Sequence, residues 1–434
     1  MDRSIAGPNG PTVAPPRAIS PGIKLVASVA IVCLGLVSLG VYAQEYASND
    51  RFTKDFAADY VSARAMLDGR DPYAPIQGLL AEYLHPPRET LRDVFPGENW
   101  HPPFKLVITL PLALLPYQVA GLMWLLISAA AYIGAALLLA RGLGWRRSTG
   151  LLLGVGALIL PVVQKDLSTA NMNGVLLLLL VSSWYTARSG KDAWAGGAIG
   201  LAAAIKIFPL LMLLPFVAAR RTKLVLSAIG SAVTLSLIGL LALGPGRAIH
   251  SIHAAGGSQE FGYWDASPAN VGWWGMATRW ITRNGWVPHA NVAALGFVLA
   301  VGGVVLFLVL ALRPRAELSR DVFWSTAPLM LLAWPIVWDH YLVLVLPWVV
   351  LGARRIPELG RSEVIAFGLV SLPLLVGLLP GGPSLAEIET WRAALVFQLP
   401  TIALIGALIL DRTRLRTAST EMSSDQRVDA IGAA

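Results

Sequence analysis

The sequence predicts an all-α integral membrane protein, a bundle of about twelve transmembrane helices with several short or broken and a large extracytoplasmic loop after the first. Two observations support this prediction. Of the 434 residues, 55% are hydrophobic and only 14% are charged, a balance that a soluble domain could not bury. The apolar residues also occur in long runs, and about 20 such residues cross the hydrocarbon core of a bilayer. Residues 22–412 are therefore predicted to form one polytopic membrane domain.

The apolar runs alternate with polar connections along the chain. Several runs are shorter than a full span, and the short runs occur in pairs joined by a few polar residues. An even number of crossings places both termini on the same side of the membrane. The predicted segments are 22–43, 118–140, 148–163, 173–187, 193–205, 207–219, 224–244, 291–312, 322–338, 341–353, 364–379 and 391–410.

The distribution of charge orients the bundle. The net charge is +8, but the basic residues cluster at the ends of apolar runs, a pattern typical of cytoplasmic connections rather than of a nucleic-acid surface. We predict that both termini are cytoplasmic, that residues 1–21 and 413–434 are disordered tails, and that no nucleic acid binds. The clusters are Lys24; Arg141, Arg146 and Arg147; Arg188 and Lys191; Arg220, Arg221 and Lys223; Arg313, Arg315 and Arg320; Arg354, Arg355 and Arg361; and Arg412, Arg414 and Arg416.

Three pairs of short segments carry polar residues at their centre and basic residues at both ends. Within 148–187, 194–219 and 322–353 the chain must therefore turn back at the centre, away from the cytoplasm. Short, proline-broken helices are tolerated in a bilayer where they line an enclosed or wet cavity. We expect a cavity that opens to the outer face. The central polar residues are Gln164, Lys165, Asp166, Asn171, Asn173, Lys206, Asp339 and His340.

Two long connections lie on the predicted outer face. Residues 44–117 contain an amphipathic helical pattern over 56–67 and end in an apolar run over 106–115, predicted to dip into the membrane as a half-helix. Residues 245–290 are rich in tryptophan, which either anchors the loop at the membrane interface or stacks on sugar rings.

Asp55 and Asp59 lie four residues apart, on one face of the predicted amphipathic helix. Either they face solvent or cap the helix, or one of them is a general base at the membrane boundary. Asp55 is the candidate base.

Other polar residues also have two interpretations. Lys206 lies in the middle of a 26-residue apolar run, where an ionisable side chain is costly. It either snorkels to the interface or holds a phosphate as a point charge. His340 is either a satisfied structural group or a site residue. Arg279 either binds phosphate or marks a membrane boundary, and Asn171 and Asn173 either cap the following helix or line the site.

Four motifs resemble those of glycosyltransferase family 87, a membrane-embedded family of the GT-C class. They cover most of the chain and all fall on the predicted outer face. The motifs are Asp55-Phe56 with Tyr60 and Gly69-Arg70-Asp71-Pro72-Tyr73; His101-Pro102-Pro103-Phe104; Ala204-Ile205-Lys206-Ile207-Phe208-Pro209; and Pro335-Ile336-Val337-Trp338-Asp339-His340.

The resemblance implies a GT-C-type bundle that transfers a sugar, with inversion, from a polyprenyl-phosphate donor to a hydroxyl of a glycolipid or polysaccharide. The sugar would be a hexose such as mannose, or arabinofuranose, and the site would face outward from the cytoplasmic membrane. Asp55 would be the base, Lys206 a donor-phosphate contact and His340 a phosphate or acceptor contact. Further substrate-binding residues would be Asp59, Tyr60, His101, Asn173 and Arg279.

Two motifs depart from the family pattern. A Gly-Gln-x-Asn motif reads Ala170-Asn171-Met172-Asn173 here, and an Asn-x-Ser motif reads Asn270-Val271-Gly272. These departures concern which sugar and acceptor are used rather than the fold.

The sequence contains no zinc-ligand spacing, Walker loop, nucleophile elbow or dinucleotide fingerprint. It also lacks the Asp-x-Asp pattern that soluble enzymes commonly use to bind nucleotide sugars. We therefore expect no metal and no cofactor, with the donor and the surrounding lipids as membrane partners. The alternatives are a multi-pass transporter, which shares broken helices at membrane depth, and a glycan polymerase or flippase without base chemistry at Asp55.

Overall fold

The computed structural model describes residues 20–94, 97–255, 270–272, 275, 318–334, 336–377 and 399–410. Within these ranges the regular structure is helical, and the one β-bridge, between Asn270 and Trp338, is isolated. The all-α prediction is confirmed for this part of the chain. The predicted tails, most of the loop 245–290 and the segment 291–312 lie outside the described residues.

The helices follow one another with short connections. In the first half they are α1 Pro21–Glu45, α2 Asp55–Leu67, α3 Ile76–Tyr83, α4 Arg88–Asp93, α5 Pro103–Ala113, α6 Tyr117–Gly142, α7 Arg147–Ala157, α8 Pro161–Thr169 and α9 Asn173–Arg188. In the second half they are α10 Asp192–Ile205, α11 Leu214–Ala218, α12 Thr222–Leu243, α13 Pro245–Ala255, α14 Leu318–Ala333, α15 Leu346–Arg354, α16 Arg361–Val376 and α17 Leu399–Leu410. Short 3₁₀ helices span Phe208–Leu213 and Asp339–Val345.

Three helices of the described part, α1, α6 and α12, are long and apolar enough to cross a membrane alone. The pair α7 and α8 passes the same test together, with a bend of 65°. The prediction of one continuous segment over 148–163 is therefore wrong, because two helices cover these residues. The helix breaks before Pro161, because proline has no backbone N–H to donate and is favoured in the first turn of a new helix. The number of crossings stays a prediction.

Two of the predicted turns inside apolar runs are present as broken helices. Helix α10 ends at Ile205, and Lys206 adopts an extended conformation before the 3₁₀ helix Phe208–Leu213. Helix α14 ends at Ala333, and a 3₁₀ helix begins at Asp339, so the predicted segment 341–353 starts earlier than expected. Both breaks free backbone groups and place polar side chains next to a turn, which a bilayer permits inside protein.

Close packing of α10 on α12 fixes the position of the first break. A Cβ atom at Gly196 would lie 2.1 Å from the carbonyl oxygen of Leu224, and one at Gly200 would lie 2.4 Å from that of Ala228. Two glycines four residues apart thus let the backbones touch, a common basis of helix association in membranes. Since Lys206 directly follows α10, this contact holds its backbone in place.

Helix α2 is confirmed, but its predicted exposed face is not observed. Eight of its residues are buried, including Phe56, Asp59 and Tyr60. The ring of Phe56 stacks on Trp124 of α6 with 5.4 Å between centroids. The segment 44–117 is therefore packed on α6 through α2.

A polar cluster joins α13 to the segment between α1 and α6. His250 Nδ1 lies 2.6 Å from Asp71 Oδ2, and Nε2 lies 3.2 Å from Glu98 Oε1. The hydrogen bond with Asp71 raises the pKa of His250, partial burial lowers it, and the charges of the two carboxylates raise it further, so the net pKa lies above its ordinary value.

This cluster predicts a pH-dependent contribution to stability. A folded-state pKa above the unfolded value of about 6.5 stabilises the fold below that pH, and the stabilisation is lost as the pH rises through the folded pKa. We expect His250→Gln to lower the thermal unfolding midpoint in detergent more at pH 6 than at pH 9. The exposed His85→Gln is the control. A difference between wild type and His250→Gln that does not vary with pH would contradict this role.

Candidate active site

Asp55 is the first residue of α2, and its neighbour Lys54 anchors this end of the helix. The ammonium group of Lys54 pairs with Glu45 at the end of α1 and donates to the carbonyl oxygen of Ser168 in α8 at 2.7 Å. It also lies 5.3 Å from the ring centroid of Tyr46. Contacts of Lys54 with α1 and α8 therefore hold the N-terminal end of α2, where Asp55 lies.

Asn171 joins Asp55 to Lys206. Its Nδ2 donates to Asp55 Oδ2, and its Oδ1 accepts from Lys206 Nζ at 2.7 Å. The same oxygen accepts from the backbone N–H of Met172. Met172 is the N-cap residue of α9, and no side chain caps this helix. The capping interpretation of Asn171 and Asn173 is thus wrong, and both side chains face the site.

The connection before α9 has an unusual backbone. Ala170 adopts the left-handed conformation with φ 56° and ψ 42°, which costs a residue with a side chain about 1 kcal/mol relative to glycine. The indole of Trp124 donates to its carbonyl oxygen at 2.9 Å. The family motif has glycine at this position, and glycine adopts the left-handed conformation without a steric penalty. In this chain alanine adopts the same conformation.

Asn173 continues the network on the other side of Lys206. Its Oδ1 lies 3.4 Å from Lys206 Nζ, and its Nδ2 donates to Asp166 Oδ1 at 2.8 Å. Tyr132 donates to the second oxygen of Asp166 at 2.6 Å. Asn173 Nδ2 also reaches the backbone carbonyl oxygen of His340 at 3.5 Å, so the hairpin that carries His340 meets the same network.

His340 is 5% exposed and has one ring nitrogen without a partner. Its Nδ1 lies 3.5 Å from Asp339 Oδ1, whereas Nε2 is buried and has no hydrogen-bond partner among the residues that the structure describes. This nitrogen can therefore still make a hydrogen bond to a further group.

The segment that leads to His340 is held by Asn270. The side-chain oxygen of Asn270 accepts from the backbone N–H groups of Val337 at 3.0 Å and Gly272 at 3.1 Å. The N–H of Val271 donates to the carbonyl oxygen of Val337 at 2.7 Å. Asn270 thus makes its contacts without the serine that the family motif places two residues later.

Lys206 is the least compensated charge of the site. It is 5% exposed, and within the described ranges no carboxylate lies at ion-pair distance from its ammonium group. Its direct neighbours are the two asparagine oxygens and the ring of Tyr341, 4.0 Å from the centroid. Because a buried ammonium group is strongly stabilised by an anion, this position is suited to a phosphate.

A second polar cluster surrounds Asp59. Its Oδ1 lies 2.7 Å from His101 Nδ1 and 3.3 Å from Asn99 Nδ2, and its Oδ2 lies 2.7 Å from Lys105 Nζ. Burial raises the pKa of Asp59, but His101 and Lys105 lower it by more, so it lies well below its usual range. Burial also lowers the pKa of His101, and the charges of Lys105 and Lys206 lower it too, against the opposing effect of Asp59.

These pKa directions define the protonation of the second cluster. Asp59 is ionised and its oxygens are occupied by protein donors. His101 Nδ1 faces Asp59 Oδ1 at 2.7 Å, and Lys105 Nζ lies 2.9 Å from Nδ1 and 3.0 Å from Nε2 of the same ring. The cluster is adjacent to the first one, since Lys105 and Asp59 both act electrostatically on Lys206.

The remaining predicted site residues are placed differently. The hydroxyl of Tyr60 donates to the carbonyl oxygen of Leu115 at 2.6 Å, so it ties α2 to the start of α6. Arg279 lies outside the described residues. In the described part no group of three or more histidine, cysteine, aspartate or glutamate side chains could hold a metal ion.

The model of glycosyltransferase family 87 matches residues 99–335, which is more than half of the chain. The chain belongs to glycosyltransferase family 87.

Two relatives extend this similarity over most of the sequence. Both are called polyprenol-phosphate-mannose-dependent alpha-(1-2)-phosphatidylinositol pentamannoside mannosyltransferase. The protein of Mycobacterium tuberculosis is 25% identical over 385 residues, which cover 84% of this chain and 83% of the relative. That of Mycolicibacterium smegmatis is 25% identical over 374 residues, which cover 81% and 84%. No solved structure matches the chain.

As a member of glycosyltransferase family 87, the chain is a glycosyltransferase. The matched span contains the network from Asp166 to Lys206, whereas Asp55 and His340 lie outside it and join the site through the hydrogen bonds of the two asparagines. Sequence reasoning did not assign roles to Asp166 and Lys105. Both are charged residues in or beside an apolar run, and this feature of the sequence could have identified them as candidate site residues.

The second cluster predicts a strong effect on stability. Asp59→Asn leaves Lys105, whose side chain is 0% exposed, without a counter-charge, and removing one partner of a buried pair costs about 3–5 kcal/mol. We expect this loss in unfolding experiments in mixed micelles, with most of it recovered in Asp59→Asn/Lys105→Met. The exposed Glu89→Gln is the control. An Asp59→Asn protein as stable as wild type would contradict the pairing.

Proposed function

We propose that this chain transfers a mannosyl residue from a polyprenyl-phosphate donor to a hydroxyl of a glycolipid. The observation that carries the proposal is the juxtaposition of the Asp55 carboxylate and the incompletely compensated Lys206 ammonium group, joined by the Asn171 amide. The names of the two relatives support mannose, a lipid-linked donor and a phosphatidylinositol glycolipid as acceptor.

Asp55 is the general base. One of its oxygens is held by Asn171, while the other has no donor among the residues that the structure describes. The side chain is half-buried, so a substrate hydroxyl can reach it and water only partly solvates it. Asp59 has both oxygens occupied, which makes Asp55 the better of the two carboxylates for accepting a proton.

Lys206 and His340 receive the leaving group. The acceptor oxygen forms a bond to the anomeric carbon as the bond from that carbon to the phosphate oxygen breaks. The proton goes to Asp55, and the electron pair leaves with the lipid phosphate, whose charge grows. The Lys206 ammonium group stabilises this charge most strongly when it develops, and the free Nε2 of His340 supplies a second contact.

The displacement takes place in one step and inverts the anomeric centre. A β-linked donor then gives an α-linked product, the anomeric form named for both relatives. The positioned groups need no cofactor or metal for this step.

The site faces the outer side of the cytoplasmic membrane. Asn173 begins α9 at the site, and Arg188 ends it about 24 Å away, at a basic connection. Helix α10 starts beside this connection and returns to the site at Lys206. Basic connections mark the cytoplasm, so the network lies at the opposite, outer end. We retain twelve crossings with both termini cytoplasmic as part of this proposal.

Replacing the base tests the proposal. Asp55→Asn keeps an oxygen that can accept from Asn171 but cannot take a proton. We expect turnover of a polyprenyl-phosphate mannose donor to fall about 10²–10⁴-fold, with donor affinity within about twofold of wild type. Asp68→Asn, at the exposed C-terminal end of α2, is the matched control. Turnover retained in Asp55→Asn would place the base elsewhere and overturn the proposed mechanism.

A further inference from the structure

Asp166 is a buried carboxylate for which the proposed mechanism has no use. It lies in α8, is 0% exposed, and does not contact Asp55 or Lys206 directly. Its two oxygens are taken by the hydroxyl of Tyr132 at 2.6 Å and by Nδ2 of Asn173 at 2.8 Å. Burying a carboxylate at this depth is costly, so its retention calls for a role.

The carboxylate determines which way the Asn173 amide points. An ionised carboxylate only accepts hydrogen bonds, so the amide nitrogen of Asn173 must face Asp166. The amide oxygen is then directed at Lys206 Nζ, 3.4 Å away. If the amide were reversed, its N–H₂ group would face an ammonium group that has no lone pair to accept it.

The same logic applies to Asn171. Asp55 accepts from Asn171 Nδ2, and the oxygen of that amide accepts from Lys206 at 2.7 Å. Two carboxylates on different helices thus orient two amides, and both amide oxygens converge on one ammonium group. One of these carboxylates has an oxygen open to a substrate, and the other has none.

We propose that Asp166 is a positioning residue for the transfer reaction, which acts through Asn173 to hold the Lys206 ammonium group toward the donor phosphate. This inference rests on the proposed function, in which Lys206 binds that phosphate. Asp166 touches no substrate, because Tyr132 and Asn173 occupy both of its oxygens. Its effect is to fix the direction of one amide.

Asp166→Asn is the decisive substitution. The neutral amide can present either its oxygen or its N–H₂ group to Asn173, because the Tyr132 hydroxyl can donate or accept. The direction of the Asn173 amide is then no longer fixed, and a donor can face Lys206. With farnesyl phosphate as the probe, a short polyprenyl phosphate without a sugar, we expect the dissociation constant to rise about tenfold, or about 1.4 kcal/mol. We expect kcat/KM for a polyprenyl-phosphate mannose donor to fall by at least as much, through a higher KM and a lower kcat, because Lys206 also stabilises the charge that develops on the phosphate.

Tyr132→Phe is the matched control. It removes the other hydrogen bond of the same buried carboxylate but leaves the bond to Asn173 intact. A merely structural Asp166 predicts that both variants lose stability and that probe affinity changes equally in both. The positioning role of Asp166 predicts that probe affinity changes by less than about threefold in Tyr132→Phe.

A double-mutant cycle with Lys206→Met shows whether the effect passes through Lys206. Lys206→Met weakens probe binding, and we expect Asp166→Asn to add no further loss in that background. Additive losses would overturn the positioning role. If Asp166→Asn does not fold, Asn173→Leu removes the amide that connects Asp166 to Lys206. The same lack of additivity with Lys206→Met is then expected.

The outcomes separate the two proposals. If Lys206→Met binds farnesyl phosphate as wild type does, Lys206 is not the phosphate contact and the proposed function loses that role. If Lys206→Met weakens binding but neither Asp166→Asn nor Asn173→Leu does, the phosphate contact stands and the positioning role of Asp166 is overturned.

Discussion

The buried ammonium group of Lys206 is the constraint on which the site depends. A charge enclosed in an apolar bundle is strongly unfavourable unless it is compensated. Here the compensation is incomplete. Two amide oxygens and the ring of Tyr341 contact the group, and the described carboxylates act on it only from a greater distance. A site built this way retains capacity for an anion, and in the proposed mechanism the phosphodiester of the donor supplies one.

The interrupted helices follow from this requirement. Lys206 lies at the break after α10, where its ammonium group meets the oxygens of Asn171 and Asn173. Ending α10 at Ile205 and packing it on α12 through Gly196 and Gly200 holds the lysine backbone rigidly at the turn. His340, at the start of a 3₁₀ helix, meets the same network through its backbone carbonyl oxygen, which lies 3.5 Å from Asn173 Nδ2. The two carboxylates of α2 differ in their hydrogen bonding. Both oxygens of Asp59 have protein donors, whereas Asp55 has a described donor on one oxygen.

Much of this arrangement could be predicted from sequence, because apolar runs and the polar residues that interrupt them are local signals. The bounds of α1, α6, α9, α10 and α12 follow the predicted segments within a few residues. Three site residues were identifiable because each is a polar residue within or beside an apolar run: Lys206, Asp55 and His340. The role of Asn171 was not predictable, since its partner Asp55 is 116 residues away. Burial of α2 was missed for a related reason: its neighbours come from α5 and α6.

The most direct measurement is an experimental structure of the full chain with farnesyl phosphate bound. We expect a phosphate oxygen at about 2.7–2.9 Å from Lys206 Nζ, the distance of a charge-assisted hydrogen bond, with Asp55 left free to face an acceptor. Phosphate bound away from Lys206, with its ammonium group still held by the two asparagines, would contradict the central role given to this residue.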